Sequence, residues 1–389
     1  MKIAQRMSRL GTESAFEVLA KAKALEAQGR EVVHLEMGEP DFPTPENIVQ
    51  AGIRALKDGK TKYTPSAGIS ELRAAIAAHT SATRGTTVTA DQVVVTPGAK
   101  PIMFFSMLAL VEPGDQVLYP EPGFPIYGSM INYCGGTPVP YTLREGDDFR
   151  FDPEELRAKA NAKTKLIILN SPHNPTGGAL QAADLHVVAE VAQRYAVTVL
   201  TDEIYSRLLY DGTFSSLLSI PGMADHTILL DGFSKTYSMT GWRLGWGVMP
   251  AHLAPHITRL QTNSNSCVAG FTQYAGLEAL TGPQDSVDRM VAAFRERRDA
   301  IVDGLRAIPG FKCLKPRGAF YAFPNIKGTG WDSRRLADYM LNEAGVACLS
   351  GTAFGNAGEG YLRFSYANSL ENIKKALLRI REAVEKIQD

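Results

Sequence analysis

The feature that most constrains the fold is an alternation of short apolar runs with longer amphipathic stretches between about residues 90 and 250. Several of the runs are apolar on consecutive residues, as expected for parallel strands that are covered on both faces. The stretch 182–195 places Leu185, Val188 and Ala192 on one stripe with helical spacing. The pattern predicts an α/β fold in which a mostly parallel central sheet is flanked by helices. The predicted strands are 93–95, 116–119, 166–169, 197–201, 227–230 and 244–248.

The chain of 389 residues is longer than one ordinary domain, because domains average about 150 residues. Its last third has a different pattern, with a predicted helix at 291–305, a strand at 319–323 and a terminal helix at 371–387. We expect a second, smaller α+β domain that the beginning of the chain completes. The expected division is 1–45 (N-terminal arm and part of the small domain), 46–285 (large domain) and 286–389 (small C-terminal domain).

The charge balance argues against two classes of partner. Lys plus Arg number 41 and Asp plus Glu also number 41, whereas a nucleic-acid binder or an anionic-membrane binder needs a basic excess. Residues 1–12 lack the apolar core of a signal peptide, and the longest apolar stretch, 103–111, is too short to cross a bilayer. The four cysteines form no CxxC pair, which favours reduced thiols. We therefore expect a cytoplasmic protein that binds neither nucleic acid nor membrane.

The common nucleotide, esterase and metal motifs are absent from the sequence. No G-x-G-x-x-G and no G-x-S-x-G occurs, and Arg54 stands where a P-loop requires its first glycine. His252 and His256 have the spacing of zinc ligands, but Leu253 replaces the general-base glutamate and Pro255 interrupts the helix. We expect no metal site.

Four polar loops follow predicted strands, which is where open α/β sheets form their binding sites. They are 96–100, 170–178, 201–205 and 231–245. Each loop has an ordinary explanation when it is taken alone. Asn-Pro and Gly-Gly steps form turns, and an aspartate such as Asp202 caps helices. Gly98 precedes a predicted helix, whose free N–H groups suit a phosphate but are also usual in βα loops.

In this order and at these spacings, the loops resemble those of the class I/II pyridoxal-phosphate-dependent aminotransferases, which have the aspartate aminotransferase fold. The resemblance extends from Gly-Glu-Pro-Asp-Phe at 38–42 to Leu-Arg-Phe-Ser-Tyr at 362–366, nearly the whole chain. Its most specific part is the block that contains Ser234, Lys235 and Arg243. The resemblance implies PLP fold type I, with pyridoxal 5'-phosphate bound by the large domain.

The family's catalytic positions are matched by Lys235, Asp202 and Tyr205. The resemblance implies that Lys235 forms the Schiff base with the cofactor and then acts as acid and base for the proton shift. Asp202 would keep the pyridine nitrogen protonated, so that the ring withdraws electrons. Asn174 and Tyr205 would donate hydrogen bonds to the 3′-oxygen.

The family's phosphate site and ring contact are also matched. Phe124 stands where the family stacks an aromatic side chain on the cofactor, although a core aromatic near a turn is an alternative. Tyr63 matches a tyrosine that reaches the phosphate of the neighbouring subunit, which implies a homodimer. The residues that match the phosphate site are Ser234, Arg243, Gly98, Ala99 and Lys100.

The substrate positions are matched less completely. Arg363 matches the arginine that binds the α-carboxylate, a contact that suits a planar guanidinium. Gly38 matches the loop whose backbone touches the same carboxylate, and the resemblance also assigns Asn174 to the substrate. No arginine matches the one that binds a distal carboxylate. Lys100 resembles a lysine with that task in an aspartate/prephenate subgroup, but a solvated lysine at a helix start is an equal alternative.

The implied function is a ping-pong aminotransferase that moves the amino group of an L-amino acid to a 2-oxo acid. Aspartate is the candidate donor and 2-oxoglutarate the candidate acceptor. A C–S or other β-lyase and an amino-acid oxidase or cyclase remain alternatives, because the cofactor performs the same first steps in all of them. A non-enzymatic binding module would require the loss of Lys235 or Arg363, and both are present.

Overall fold

Strands and helices alternate along most of the chain, whose computed structural model describes residues 1–388. The strands are β1 (Val33–His34), β2 (Val93–Thr96), β3 (Gln116–Glu121), β4 (Thr137–Arg144), β5 (Arg150–Phe151), β6 (Thr164–Asn170), β7 (Thr198–Asp202), β8 (Thr227–Gly232), β9 (Gly245–Val248), β10 (Tyr321–Ala322), β11 (Val346–Ala347), β12 (Leu349–Ser350) and β13 (Leu362–Ser365). The helices are α1 (Ser14–Glu26), α2 (Glu46–Lys57), α3 (Ser70–Arg84), α4 (Lys100–Leu110), α5 (Ile126–Cys134), α6 (Pro153–Lys159), α7 (Ala182–Tyr195), α8 (Phe233–Thr236), α9 (Ala254–Asn265), α10 (Gly270–Thr281), α11 (Asp285–Arg306), α12 (Ser333–Tyr339) and α13 (Leu370–Gln388).

The central sheet has the strand order β2-β9-β8-β7-β6-β3-β4-β5. The pairs from β8 through β7, β6 and β3 to β4 are parallel, which confirms the predicted mostly parallel sheet. β9 departs from this pattern because it pairs antiparallel with both β8 and β2. A parallel crossover usually needs a full helix. The only helix in the connection from β8 to β9, residues 233–244, is the four-residue α8, and the chain returns in the opposite direction.

The predicted strands of the large sheet are all present, with ends that differ by at most two residues. β4 was not predicted because it contains Pro138 and Pro140, and proline cannot donate to a strand ladder. In the structure β4 lies one strand from the edge of the sheet, where it pairs with β3 and with the short strand β5. The predicted strand 319–323 shortens to β10, and the predicted helix 291–305 is part of the longer α11.

Helices cover both faces of the central sheet. In β6, Leu166 and Ile168 pack on one face with residues of α4 and α9, while Ile167 and Leu169 pack on the other face against α7. All four side chains are fully buried. Burying an aliphatic side chain of this size stabilises the fold by about 1.5–3 kcal/mol, so the continuous apolar runs supply much of the stability of the sheet.

The beginning and the end of the chain share a second core. β1 pairs parallel with β11, and β13 lies between β10 and β12 in an antiparallel sheet. Val33 and Leu35 belong to the same apolar cluster as Phe294 on α11 and Phe364 on β13. This packing brings the segment after β1 and the strand β13 towards the central sheet.

Two further observations concern the surface and the thiols. Among residues 1–388, no helix is both long enough and apolar enough to span a membrane. The cysteines are free thiols, of which Cys313 and Cys348 are buried and Cys134 and Cys267 half-buried.

Candidate active site

One edge of the central sheet collects the loops that the sequence singled out. β2, β6, β7 and β8 run in the same direction, so their carboxyl ends meet at that edge. A cavity of about 480 Å³ opens there, within the size range of small-molecule sites. Of the predicted site residues, Gly98 and Tyr63 do not line it. Those that do are Gly38, Ala99, Lys100, Phe124, Asn174, Asp202, Tyr205, Ser234, Lys235, Arg243 and Arg363.

Asp202 is the last residue of β7, and its side chain is buried at the floor of the cavity. Its Oδ2 accepts a hydrogen bond of 2.7 Å from the hydroxyl of Tyr127. Its Oδ1 accepts a longer one, 3.3 Å, from the backbone of Ile204. No cation within residues 1–388 forms an ion pair with it, and burial raises the pKa of this carboxyl to about 6. The carboxylate is therefore poised to receive a proton-bearing ligand group.

Tyr127 was missed by the sequence reasoning. It lies three residues after Phe124, at the start of α5, and the two rings pack edge to face. Residues three apart in a helical turn share a face, so the spacing of these two aromatics was a signal for a second site residue.

Lys235 lies in the short helix α8 and points its amine into the cavity. Its Nζ donates a hydrogen bond to the backbone carbonyl of Gly38, which belongs to the segment after β1. Burial lowers the pKa of this amine to about 8. A minor part of the amine is therefore neutral near neutral pH, as a nucleophile or general base requires.

The hydroxyl of Tyr205 forms a 2.8 Å hydrogen bond with the hydroxyl of Tyr321, a residue of β10 that the sequence analysis did not assign to the site. The oxygen of Tyr321 occupies the space that a side chain at Gly38 would need, because an added Cβ would lie less than 3.0 Å from it. Glycine at position 38 is therefore required by this close approach.

Arg363, on β13, is buried and reaches across to the central sheet. Its Nη1 donates to Oδ1 of Asn174 at 3.1 Å, and its Nη2 donates to the backbone carbonyl of Glu36. Its Nε, however, has no hydrogen-bond partner within the described chain. A buried guanidinium with an unused donor suits a bidentate carboxylate ligand.

The loops before α4 and before β9 form a tight cradle. Gly98 has a φ of 85°, and an added Cβ would lie less than 3.0 Å from the guanidinium of Arg243. A Cβ on Gly245 would overlap the backbone nitrogen of Ala99 in the same way. The cradle thus combines an arginine with the amino-terminal end of α4, and both favour an anion.

Lys100 and Tyr63, both assigned to the site from the sequence, lie in different surroundings. The Nζ of Lys100 is 5.4 Å from the ring centre of Phe124 and forms an ion pair with the carboxylate of Glu13. The lysine is therefore paired with a carboxylate of the same chain in this structure. Glu13 precedes α1 and carries no motif, so no sequence signal pointed to it. Tyr63 lies outside the cavity with 88% of its surface exposed.

Comparison with known proteins relates the chain to a family. A family model described as aminotransferase class I and II matches residues 30–380. An aspartate aminotransferase of Pyrococcus horikoshii is 39% identical over 385 residues, which cover 98% of this chain and 97% of that protein.

Solved structures resemble the chain over its whole length. The aspartate aminotransferase from Thermus thermophilus with maleate has a TM-score of 0.95 at 36% identity, covering 98% of this chain and 100% of that chain. An alanine aminotransferase from Pyrococcus furiosus has a TM-score of 0.94 at 32% identity, covering 99% and 100%. The same backbone therefore occurs in proteins that are named for different amino acids.

The close approach of Gly38 and Tyr321 leads to a prediction about stability. Gly38→Ala would push the Tyr321 hydroxyl away and break its hydrogen bond to Tyr205, so we expect a loss of about 1–3 kcal/mol in the free energy of unfolding. Denaturant titration measures this loss. Gly241→Ala is the matched control, because a Cβ there meets no atom within 4 Å.

The cause of the loss is tested by removing the hydroxyl. In a Tyr321→Phe background, Gly38→Ala should cost much less, since the overlapping atom is gone. An equal cost in both backgrounds would contradict the proposed clash.

Proposed function

Because the chain belongs to the class I and II aminotransferases, we propose that it performs transamination with pyridoxal 5'-phosphate in the cavity at the carboxyl edge of the sheet. The amino group of an L-amino acid would pass to a 2-oxo acid in a ping-pong cycle. The observation that carries this proposal is that the amine of Lys235, the carboxylate of Asp202 and the guanidinium of Arg363 face one cavity.

The residues present fit the cofactor. Asp202 is a buried carboxylate without a cationic partner in the described chain, and a protonated ring nitrogen would supply one. The cradle at Gly98 has no room for a side chain, and with Arg243 and Ser234 it offers donors for a phosphate. Lys235 provides the primary amine that an aldehyde requires.

The remaining contacts to the cofactor are assigned in the same way. Asn174 and Tyr205 would hold the ring oxygen, and Phe124 would pack on the ring. The backbone N–H groups of Gly98, Ala99 and Lys100 would complete the phosphate site. When it is bound, pyridoxal phosphate supplies an electron-withdrawing ring that stabilises negative charge at the substrate Cα.

The chain's own residues would bind the substrate and move the proton. Arg363 would hold the α-carboxylate through its unused donor and fix the orientation of the substrate, with Gly38 and Asn174 beside it. Lys235 would remove the Cα proton and return it, since its pKa of about 8 leaves part of the amine neutral near neutral pH. Asp202 is a carboxylate above about pH 6, where Tyr127 holds it by a hydrogen bond.

We further propose that aspartate is the amino donor and 2-oxoglutarate the acceptor. The support for this proposal is that full-length relatives are named aspartate aminotransferases and that Lys100 lines the cavity. A β-lyase, an oxidase and a cyclase are not favoured, because full-length relatives that are 37–39% identical are named aspartate aminotransferases.

We also propose the division into two domains and a cytoplasmic location. The shared core of the chain ends supports a small domain formed by 1–45 and 286–389 beside a large domain at 46–285, although residue 389 lies outside the described residues. Hydrogen exchange that showed one cooperative unit throughout would contradict this division. The reduced thiols support a cytoplasmic enzyme, and recovery from a secreted fraction would contradict that.

We also propose a homodimer in which Tyr63 reaches the neighbouring site. Its support is the 88% exposure of Tyr63 and the exposure of apolar residues near the amino terminus, among them Met1, Ile3 and Met7. Tyr63→Phe should weaken cofactor retention several-fold in equilibrium dialysis, while Tyr195→Phe should have no effect. Sedimentation that found a fully active monomer would contradict the proposal.

Replacement of the active-site lysine tests the function directly. Lys235→Ala should bind the cofactor without a covalent bond and should lose about 10²–10⁴-fold in turnover, the usual contribution of a positioned acid/base group. Borohydride trapping followed by mass spectrometry measures the bond, and a coupled assay measures turnover. The exposed Lys62→Ala is the control. Near-normal turnover in Lys235→Ala would contradict the proposed catalytic role of this lysine.

The specificity proposal predicts a difference between two donors. Lys100→Ala should lower kcat/KM for aspartate about ten- to a hundredfold and leave alanine nearly unchanged, because a charge-assisted hydrogen bond contributes about 1.5–3 kcal/mol. Arg363→Ala should depress both donors alike, since both carry an α-carboxylate. Equal losses for the two donors in Lys100→Ala would remove the selective role of the lysine.

A further inference from the structure

The segment before α1 brings a carboxylate into the active cavity. Glu13 lines the cavity together with Ala15 and Phe16, and its Oε1 pairs with the Nζ of Lys100. Its side chain is only 19% exposed, whereas that of Lys100 is 47% exposed. The carboxylate of Glu13 therefore already pairs with the ammonium group of Lys100, to which the specificity proposal assigns a substrate carboxylate.

The negative charge of Glu13 also acts on two other ionisable groups of the site. Burial lowers the pKa of both Lys235 and Arg363, and the negative charge of Glu13 is among the groups that oppose this lowering. Two other carboxylates line the cavity, and neither pairs with Lys100: Glu39 accepts a hydrogen bond from Thr240, and Asp202 accepts one from Tyr127. Within the described chain, Glu13 is therefore the carboxylate that pairs with Lys100.

The strength of the pair suits an exchangeable contact. An ion pair between partly exposed groups is weak, because water screens the attraction and the side chains lose freedom. A substrate carboxylate that is already held by the rest of the site would therefore displace Glu13 at a small cost. A substrate with an uncharged side chain would leave the pair intact and would pack against the apolar lining, which includes Phe16, Met37 and Met103.

We propose that Glu13 is a specificity-determining residue that stands in for the side-chain carboxylate of a substrate. It neutralises Lys100 when the substrate side chain is uncharged, and a dicarboxylic substrate must displace it. This inference rests on the proposed transamination, in which one pocket receives two different side chains in turn. Glu13 would let the same cavity accept both classes while it lowers the preference for dicarboxylates.

The test removes the charge and keeps the shape of the side chain. In Glu13→Gln, the inhibition constant of succinate, an unreactive dicarboxylate, should fall about fivefold, the upper range for a partly exposed ion pair. The inhibition constant of propionate, which has one carboxylate, should not change. The ratio of kcat/KM for aspartate to that for alanine should rise by the same factor.

Two controls identify the partner. The first control is Glu17→Gln. Glu17 lies in α1, four residues after Glu13, and is exposed and outside the cavity, so this variant should behave as the wild type. In a Lys100→Ala background, Glu13→Gln should no longer alter the ratio of the inhibition constants of succinate and propionate. The cation for which Glu13 and succinate compete is then absent.

The outcomes separate this inference from the proposed function. An unchanged ratio of succinate to propionate inhibition in Glu13→Gln would overturn the role of Glu13, as would equal losses for both inhibitors, which would indicate a purely structural contact. Turnover of aspartate and of alanine with 2-oxoglutarate by the wild-type enzyme tests transamination independently, and failure of both donors would overturn the proposed function whatever Glu13 does.

Discussion

β9 pairs antiparallel with β8 and β2, and this reversal places the start of a strand at the edge where the neighbouring strands end. Arg243, just before β9, therefore lies beside Gly98 and close to the helix that carries Lys235. Had β9 continued the parallel pattern, its first residues would lie at the opposite edge of the sheet. The glycine at 245 is part of the same constraint, because only a residue without a side chain lets β9 approach the backbone of Ala99.

Contacts between the two cores close the cavity over that edge. The amine of Lys235 meets the carbonyl of Gly38, Arg363 meets Asn174, and Tyr205 meets Tyr321. Burial then shifts the two ionisable groups in opposite directions: the pKa of the Asp202 carboxyl rises to about 6 and that of the Lys235 amine falls to about 8. Both shifts have one cause, since each charged form loses water. The result is a carboxyl that is ionised above about pH 6 and an amine that is partly neutral near neutral pH.

The side-chain pocket is governed by a different kind of contact. Arg363 and Asp202 are buried, whereas the pair of Lys100 and Glu13 lies at the partly exposed mouth of the cavity. In the proposed function, the buried Asp202 would hold the cofactor and the buried Arg363 the α-carboxylate that all amino acids share, whereas the weak exposed pair would permit exchange where substrates differ. This division of roles agrees with the comparisons, in which one backbone occurs in proteins named for aspartate and for alanine.

The sequence by itself determined the sheet and most of the residues that line the cavity. Continuous apolar runs indicate strands that are buried on both faces. The loops that follow parallel strands must meet at one edge of the sheet. The tertiary structure alone decided the direction of β9 and the partners of the predicted residues. Tyr127, Tyr321 and Glu13 lie 75, 116 and 87 positions from Asp202, Tyr205 and Lys100, the residues they contact. Local periodicity encodes whether a side chain is buried, but which distant side chain it meets depends on how the completed layers pack.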